Sequence, residues 1–346
     1  MTKMVLSILL VLSLAISASA AEITAPTVPP LGMERMPEKT DSFADALWEL
    51  IRNSIGQFQP ELKEAVRDIS DILCLAFLFS VFPILTERVR RISSIAGTAA
   101  IAVAMFQNAN AMVRYAAEAV WEICEYGKIL CPVLTTALAA QGGITSSAAL
   151  YMGTTAFITL LSMIVSRFMI PMVYIFMIFS VSYCAFDNET MKGIADAVKN
   201  VLNWLLKTLL IVFTSYMSIT GVVSGATDAA TLKAAKVTIS SVVPVVGGIL
   251  SDASESVLIS MGLMKNAAGI YGIVAVMAVF LGPFLKVGTQ YLLLKCSAGI
   301  CGIFGNKSIS ALIDDFSTAM GLLLAMVAAG CIFVLISTVC FMKGIG

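Results

Sequence analysis

Histidine is absent from all 346 residues, and with it go the commonest general base and the commonest metal ligand in proteins. Zinc hydrolase schemes fail at once. No G-x-S-x-G elbow occurs, and without imidazole a serine nucleophile has no usual partner. The eight cysteines, at 74, 124, 131, 184, 296, 301, 331 and 340, never form C-x-x-C and lie mostly in apolar runs, where a thiol acts as a small hydrophobe. A Cys124–Cys131 bridge is the exception to consider. Charge is also scarce: 22 basic residues balance 22 acidic ones, together 13% of the chain, with no long basic run or interleaved basic and aromatic patch. Nucleic-acid binding therefore has no support. Gly305-Asn306-Lys307-Ser308 lacks the glycine spacing of a Walker A loop, so any ATP energy must come from another protein. An intramembrane aspartyl protease would need paired spans carrying its acids, whereas Asp228 and Asp252 flank one apolar stretch. No enzyme activity and no cofactor are expected.

What is abundant is apolar sequence, 59% of the residues, with a mean hydropathy of +0.93. That composition belongs to membrane proteins. The fold class expected is all-α: an integral membrane protein forming a polytopic helical bundle of roughly seven to eight spans, with broken or re-entrant segments near 129–150 and 237–258.

Lys3, the apolar run Met4 to Ile16 and the small residues Ala18 to Ala21 make residues 1–21 read as a signal peptide, with an uncleaved anchor as the alternative. Residues 22–68 then form an extracytoplasmic segment. Pro26, Pro29, Pro30 and Pro37 argue for an extended lead, and Ser42 with Asp45 caps a helix on which Phe43, Leu47, Ile51, Ile55 and Phe58 share a face. Pro60 should end it. That face either docks a partner or lies in the headgroup plane, and Leu62, Val66 and Ile69 lead on into the membrane.

Residues 69–342 form the polytopic domain. Ile69 to Leu85 spans and is followed by Arg88, Arg90 and Arg91, which places that loop in the cytoplasm and agrees with an outside amino terminus. Ile92 to Val113 returns. Its Gln107, Asn108 and Asn110 either line a polar path or hydrogen-bond between helices. Arg114 to Lys128 reads as an outer segment with Tyr115, Trp121 and Tyr126 at the interface. From Ile129 to Phe186 only Arg167 is charged, marking either a tight turn between spans 150–166 and 168–186 or a buried functional charge. An interfacial helix over 187–203 presents Met191, Ile194, Val198, Val201, Leu202 and Leu205, and further spans run over 205–223, 267–285, 287–305 and 320–341. Lys295 snorkels or serves as a functional charge.

The functional centre expected from these patterns is Thr227 to Leu258. Asp228, Lys233 and Lys236 lead into an uncharged run broken by Pro244 and by Gly247-Gly248, and Asp252 with Glu255 closes it. At membrane depth such a segment must lie against protein or line a wet cavity. Pro132 with Gly142-Gly143 has a similar make-up. Either the chain contains two related halves, about 69–186 and 190–305 plus a final span, whose broken segments face each other, or small residues coincide by chance.

The stretches T-D-A…L-K-A-A-K (Thr227 to Lys236) and P-V-V-G-G-I-L-S-D-A (Pro244 to Ala253) resemble the stage III sporulation protein AE family of endospore-forming bacteria. The layout of signal, short outside segment and long polytopic domain is similar too. The resemblance implies a subunit of the channel or secretion-like assembly joining mother cell and forespore, in the mother-cell membrane, with other membrane and ring-forming subunits, a separate ATPase and the bilayer as partners. It leaves a homo-oligomer open. A stand-alone secondary transporter and a non-conducting scaffold are the alternative functions.

Overall fold

The computed structural model describes residues 27–36, 43–81, 87–141, 143–242, 247–303 and 307–343, with side chains left undescribed chiefly over 221–267. The expected signal peptide lies outside them. Every regular element among the described residues is helical: α1 (Pro30–Met33), α2 (Phe43–Val81), α3 (Glu87–Ala140), α4 (Ile144–Ile164), a π-helical turn (Val165–Met169), α5 (Ile170–Phe186), α6 (Glu189–Val242), α7 (Gly247–Ile303) and α8 (Lys307–Lys343).

These helices are longer than the proline and charge pattern suggests. Pro60 does not end α2, because the bond it forfeits is to the carbonyl of Gly56, and both residues are exposed on a face where water can serve that carbonyl. Pro132 likewise sits exposed inside α3, which is held through that point by the buried Leu130, Cys131, Leu134 and Leu138. The break comes later. Gly143 donates its N–H to the carbonyl of Leu138 at 3.1 Å, the six-to-one bond of a Schellman ending, and Ser147 donates to Gly143 at 2.8 Å to start α4. Gly143 is itself buried against Leu138, where an added Cβ would come within 3.0 Å of Cδ1. Gly142 lies outside the described residues.

Arg167 is not a turn between two spans. It is exposed on the π-helical turn, and α4 and α5 run through it as one helix. Pro171 explains the widening: it has no N–H for the carbonyl four residues back, so the chain makes a five-residue bond from Ile170 to Val165 just before it. The real reversal is at Asp187 and Asn188. Asp187 adopts a left-handed conformation with φ of 52°, and the Asn188 side chain accepts the N–H of Thr190 at 2.9 Å to cap α6.

Five stretches are long and apolar enough to cross a membrane among the described residues: Ile95–Ala140, Ile144–Phe186, Glu189–Thr220, Ala268–Ile303 and Lys307–Met342. Several expected spans have merged. The supposed outer segment 114–128 is the middle of α3, and Tyr126, expected at the interface, is buried beside Ile123 and Leu130. Cys124 and Cys131 are both free, and seven residues apart on one helix, about 10.5 Å of rise, they are beyond disulfide reach.

With α4 and α5 taken as one rod, successive long helices of the bundle run antiparallel. Phe157 of α4 meets Phe213 of α6 and Phe333 of α8, and the last two rings stack at 4.1 Å. Such a pair adds about 0.5–1.5 kcal/mol beyond its burial. Across α7 and α8, Ser310 donates to the carbonyl of Ala298 at 2.7 Å and Ser317 to that of Tyr291 at 3.2 Å. Lys295 neither snorkels alone nor stands unpaired; it forms an ion pair with Asp314 at 2.6 Å. The outward surface of α4 to α6 stays apolar, with Met152 63%, Trp204 64%, Ile211 63% and Ile219 65% exposed. A soluble chain rarely presents such a face; lipid accepts it.

Candidate functional site: a polar cavity beside the amino-terminal segment

The carboxyl-terminal half of α2 carries acidic residues at 64, 68 and 71, one face of a helix, and antiparallel α3 brings Gln107 and Asn108 opposite them. The amide of Asn108 donates to Asp68 at 3.0 Å. Two residues on, Asn110 accepts a hydrogen bond from Tyr174 of α5 at 2.6 Å. Asn108 and Asn110 thus join helices, and Gln107 and Asn108 line a cavity of about 470 Å³ between α2, α3 and α7. Its third wall is Lys286, Thr289 and Gln290 of α7, and Phe58, Ile72 and Met112 supply apolar surface.

Burial holds the Asp68 carboxyl above the usual aspartate range, and the like charges of Glu64 and Asp71 push it further, against a smaller opposing pull from Arg67. Lys286 places its ammonium 5.3 Å from the centre of the Tyr115 ring, which draws it toward the cavity's side. A second opening next to Gln107 and Lys286 adds Asn110, Arg114, Tyr115 and Glu118. Negative charge therefore lies along α2 and positive charge at the far edge.

Close by, the expected extended lead is instead docked on the bundle. The N–H of Leu31 in α1 donates to Glu122 of α3 at 3.0 Å, and Glu122 is only 5% exposed. Gly32 lies against Val279 of α7, where an added Cβ would come within 2.8 Å of Cγ2 and 3.0 Å of the backbone nitrogen. Only a residue without a side chain permits that approach. The helix from residue 43 is also on the protein: Ala46 and Leu50 are buried against Val274 and Ala278, while Trp48 is 70% exposed and Ile55 faces outward. Of the expected face, Leu47 packs partly buried against this cluster while Ile55 does not, so the covered face is only partly the expected one.

Of the residues singled out from sequence, Pro132 is an exposed helical residue and Gly143 opens α4. Asp228, Lys233 and Lys236 fall in α6 and Asp252 in α7, within the part whose side chains are not described. Gly247 and Gly248 begin α7. Pro244 lies outside the described residues, as does any facing of the two interrupted segments. Sequence reasoning did not single out the acidic row on α2 or Glu122. The 64, 68, 71 spacing was a usable signal for the first; nothing local points to the second, because its partner is 91 residues away.

The model of a family described as stage III sporulation protein AE matches residues 32–344. A Bacillus subtilis (strain 168) protein named stage III sporulation protein AE is 24% identical over 216 residues, covering 62% of this chain and 54% of that protein. The chain thus spans about half the length of the curated relative it matches. No solved structure matches it.

Proposed function

The chain belongs to the stage III sporulation protein AE family, and on that premise we propose that it is an integral, non-catalytic membrane subunit of a channel or secretion-like complex linking mother cell and forespore. The observation that carries this reading is the family match over residues 32–344 on a chain with five long apolar helices among its described residues. In this reading the protein is multi-pass in the mother-cell membrane around the forespore, with its mature amino terminus extracytoplasmic. It works with ring-forming and other membrane subunits and with a separate ATPase, needing no cofactor and no nucleic acid.

Asp228, Lys233, Lys236, Pro244, Gly247, Gly248 and Asp252, with Pro132, Gly142 and Gly143, remain the proposed conduit or structural motif. The polar cavity favours a second reading, a stand-alone secondary transporter, since charged and amide groups that line a cavity against a membrane bundle mark solute or ion paths. Reconstitution separates the two. A conduit subunit is expected to leave liposomes tight when alone and to release a trapped small solute only with its co-purifying partners present. Transport by the chain alone would overturn the subunit reading, and no solute movement with all partners present would leave a scaffold.

A further inference from the structure

The cavity between α2, α3 and α7 is built for a ligand of definite chemistry. Three carboxylates and one ammonium line it, a formal charge of −2. The acids stand along one helix, separated by about 6 Å and 4.5 Å of axial rise. No three metal-ligating side chains converge anywhere among the described residues, so the row does not close on a single ion. It suits positive charges that are themselves spaced apart.

The opposite wall supplies the second observation. Gln290 is 4% exposed as a residue and lines the cavity, and its amide, open to that space, has no hydrogen-bond partner among the described residues. An amide that opens onto the cavity with no protein partner is left to water or to a ligand. Phe58, Ile72, Ala104 and Met112 add apolar surface between the polar groups, which suits a methylene chain.

We propose that this cavity binds a linear di- or polyamine, its ammonium groups donating to Asp68 and to Glu64 or Asp71, its methylenes lying on Ile72 and Met112, and the Gln290 carbonyl accepting a further N–H. Charge-assisted bonds to separate carboxylates give the length preference. Lys286, drawn over Tyr115, closes the far edge and rejects a ligand extending past the acids. This binding goes beyond the subunit reading and holds whether or not the chain conducts.

Titration calorimetry on the full chain in lipid nanodiscs tests it, with spermidine and 1,4-diaminobutane as probes, n-butylamine as a single-charge control, and magnesium and sodium chloride at matched ionic strength. Saturable binding of the two polyvalent amines is expected, with butylamine at least about tenfold weaker. Asp68→Asn should weaken spermidine about tenfold. Gln290→Leu, which swaps an unpartnered amide for an apolar group of similar size, should weaken it several-fold while leaving the melting temperature of the free protein unchanged or higher. Equal heats from magnesium or butylamine would reduce the effect to charge screening and overturn the proposal. So would unchanged spermidine affinity in either variant.

Discussion

At the scale of the residue, Asp68 offers the sharpest test, because one carboxyl is placed against two others on its own helix. Its raised affinity for a proton in the folded state means that the native protein binds more proton than the unfolded chain between the ordinary aspartate value and the raised one. Stability then falls as pH rises through that window, and the penalty of ionising Asp68 is fully present above it. Asp68→Asn keeps an oxygen to accept from Asn108 and removes the charge. The variant should therefore melt above the wild type at neutral pH, the gap closing as pH is lowered toward the ordinary aspartate value. A gap that does not change with pH would mean that neither burial nor the charges of Glu64 and Asp71 raise the Asp68 carboxyl. The signal for this residue was present in the i, i+4, i+7 spacing, but a row of acids on an amphipathic helix reads as a solvated face until the helix opposite is known. Asn108 was legible as a helix-joining amide because polar groups in apolar runs need partners.

Among elements, the contact of α4 with α6 shows what spacing alone conceals. Gly153 is buried under the ring of Tyr216, whose hydroxyl donates to the carbonyl of Ala149 at 3.1 Å, and an added Cβ would overlap that ring. Tyr216 also packs at 5.7 Å from Phe157, so it cannot swing aside without disturbing the aromatic cluster. Gly153→Val should lower stability by about 1–3 kcal/mol, the range for overpacking a filled site. Melting in detergent checks it: the substitution should be relieved in part by Tyr216→Ala, and strict additivity of the two would count against direct contact. Helix content was readable throughout, since apolar runs and 3.6-residue spacing leave no other element. Helix ends were not, because proline was read as punctuation at Pro60 and Pro132 and charge at Arg167. An exposed proline loses one bond that water can replace, and a π turn absorbs another, so tertiary packing overrides both signals.

On the scale of the whole molecule, the contacts between helices fix which chain ends share a side. Phe79 of α2 lies by Gly97 of α3, Tyr174 of α5 by Asn110, and Ser310 of α8 by Ala298 of α7. Val81 and Glu87, residues 186–189, and Ile303 and Lys307 therefore lie at one end of the bundle, and Ala140, Ile144 and Lys343 at the other. Arg88, Arg90, Arg91, Lys192, Lys199 and Lys307 all fall at the first end, whereas the second carries Lys343 but no basic residue between 129 and 166. The arginine cluster alone suggested a cytoplasmic loop; the fold extends that argument to three loops and to the carboxyl terminus, which the sequence left undecided. Single cysteines introduced in a cysteine-free background and probed with an impermeant maleimide test it. Gln141→Cys and Lys343→Cys should be labelled from outside intact cells, and Asn188→Cys and Lys307→Cys only after permeabilisation. Labelling of 141 and 188 from the same side would mean that the chain folds back at Arg167, so that the 43 residues of Ile144–Phe186 cross twice instead of running as one helix. A charge at the turn of such a hairpin would sit in the headgroups. Against it stand the paired contacts on both sides of that arginine: Ile158 lies beside Gly127 before it, and Tyr174 reaches Asn110 after it. A separation of 16 residues on one helix is matched by 17 on its antiparallel neighbour, as two continuous rods require.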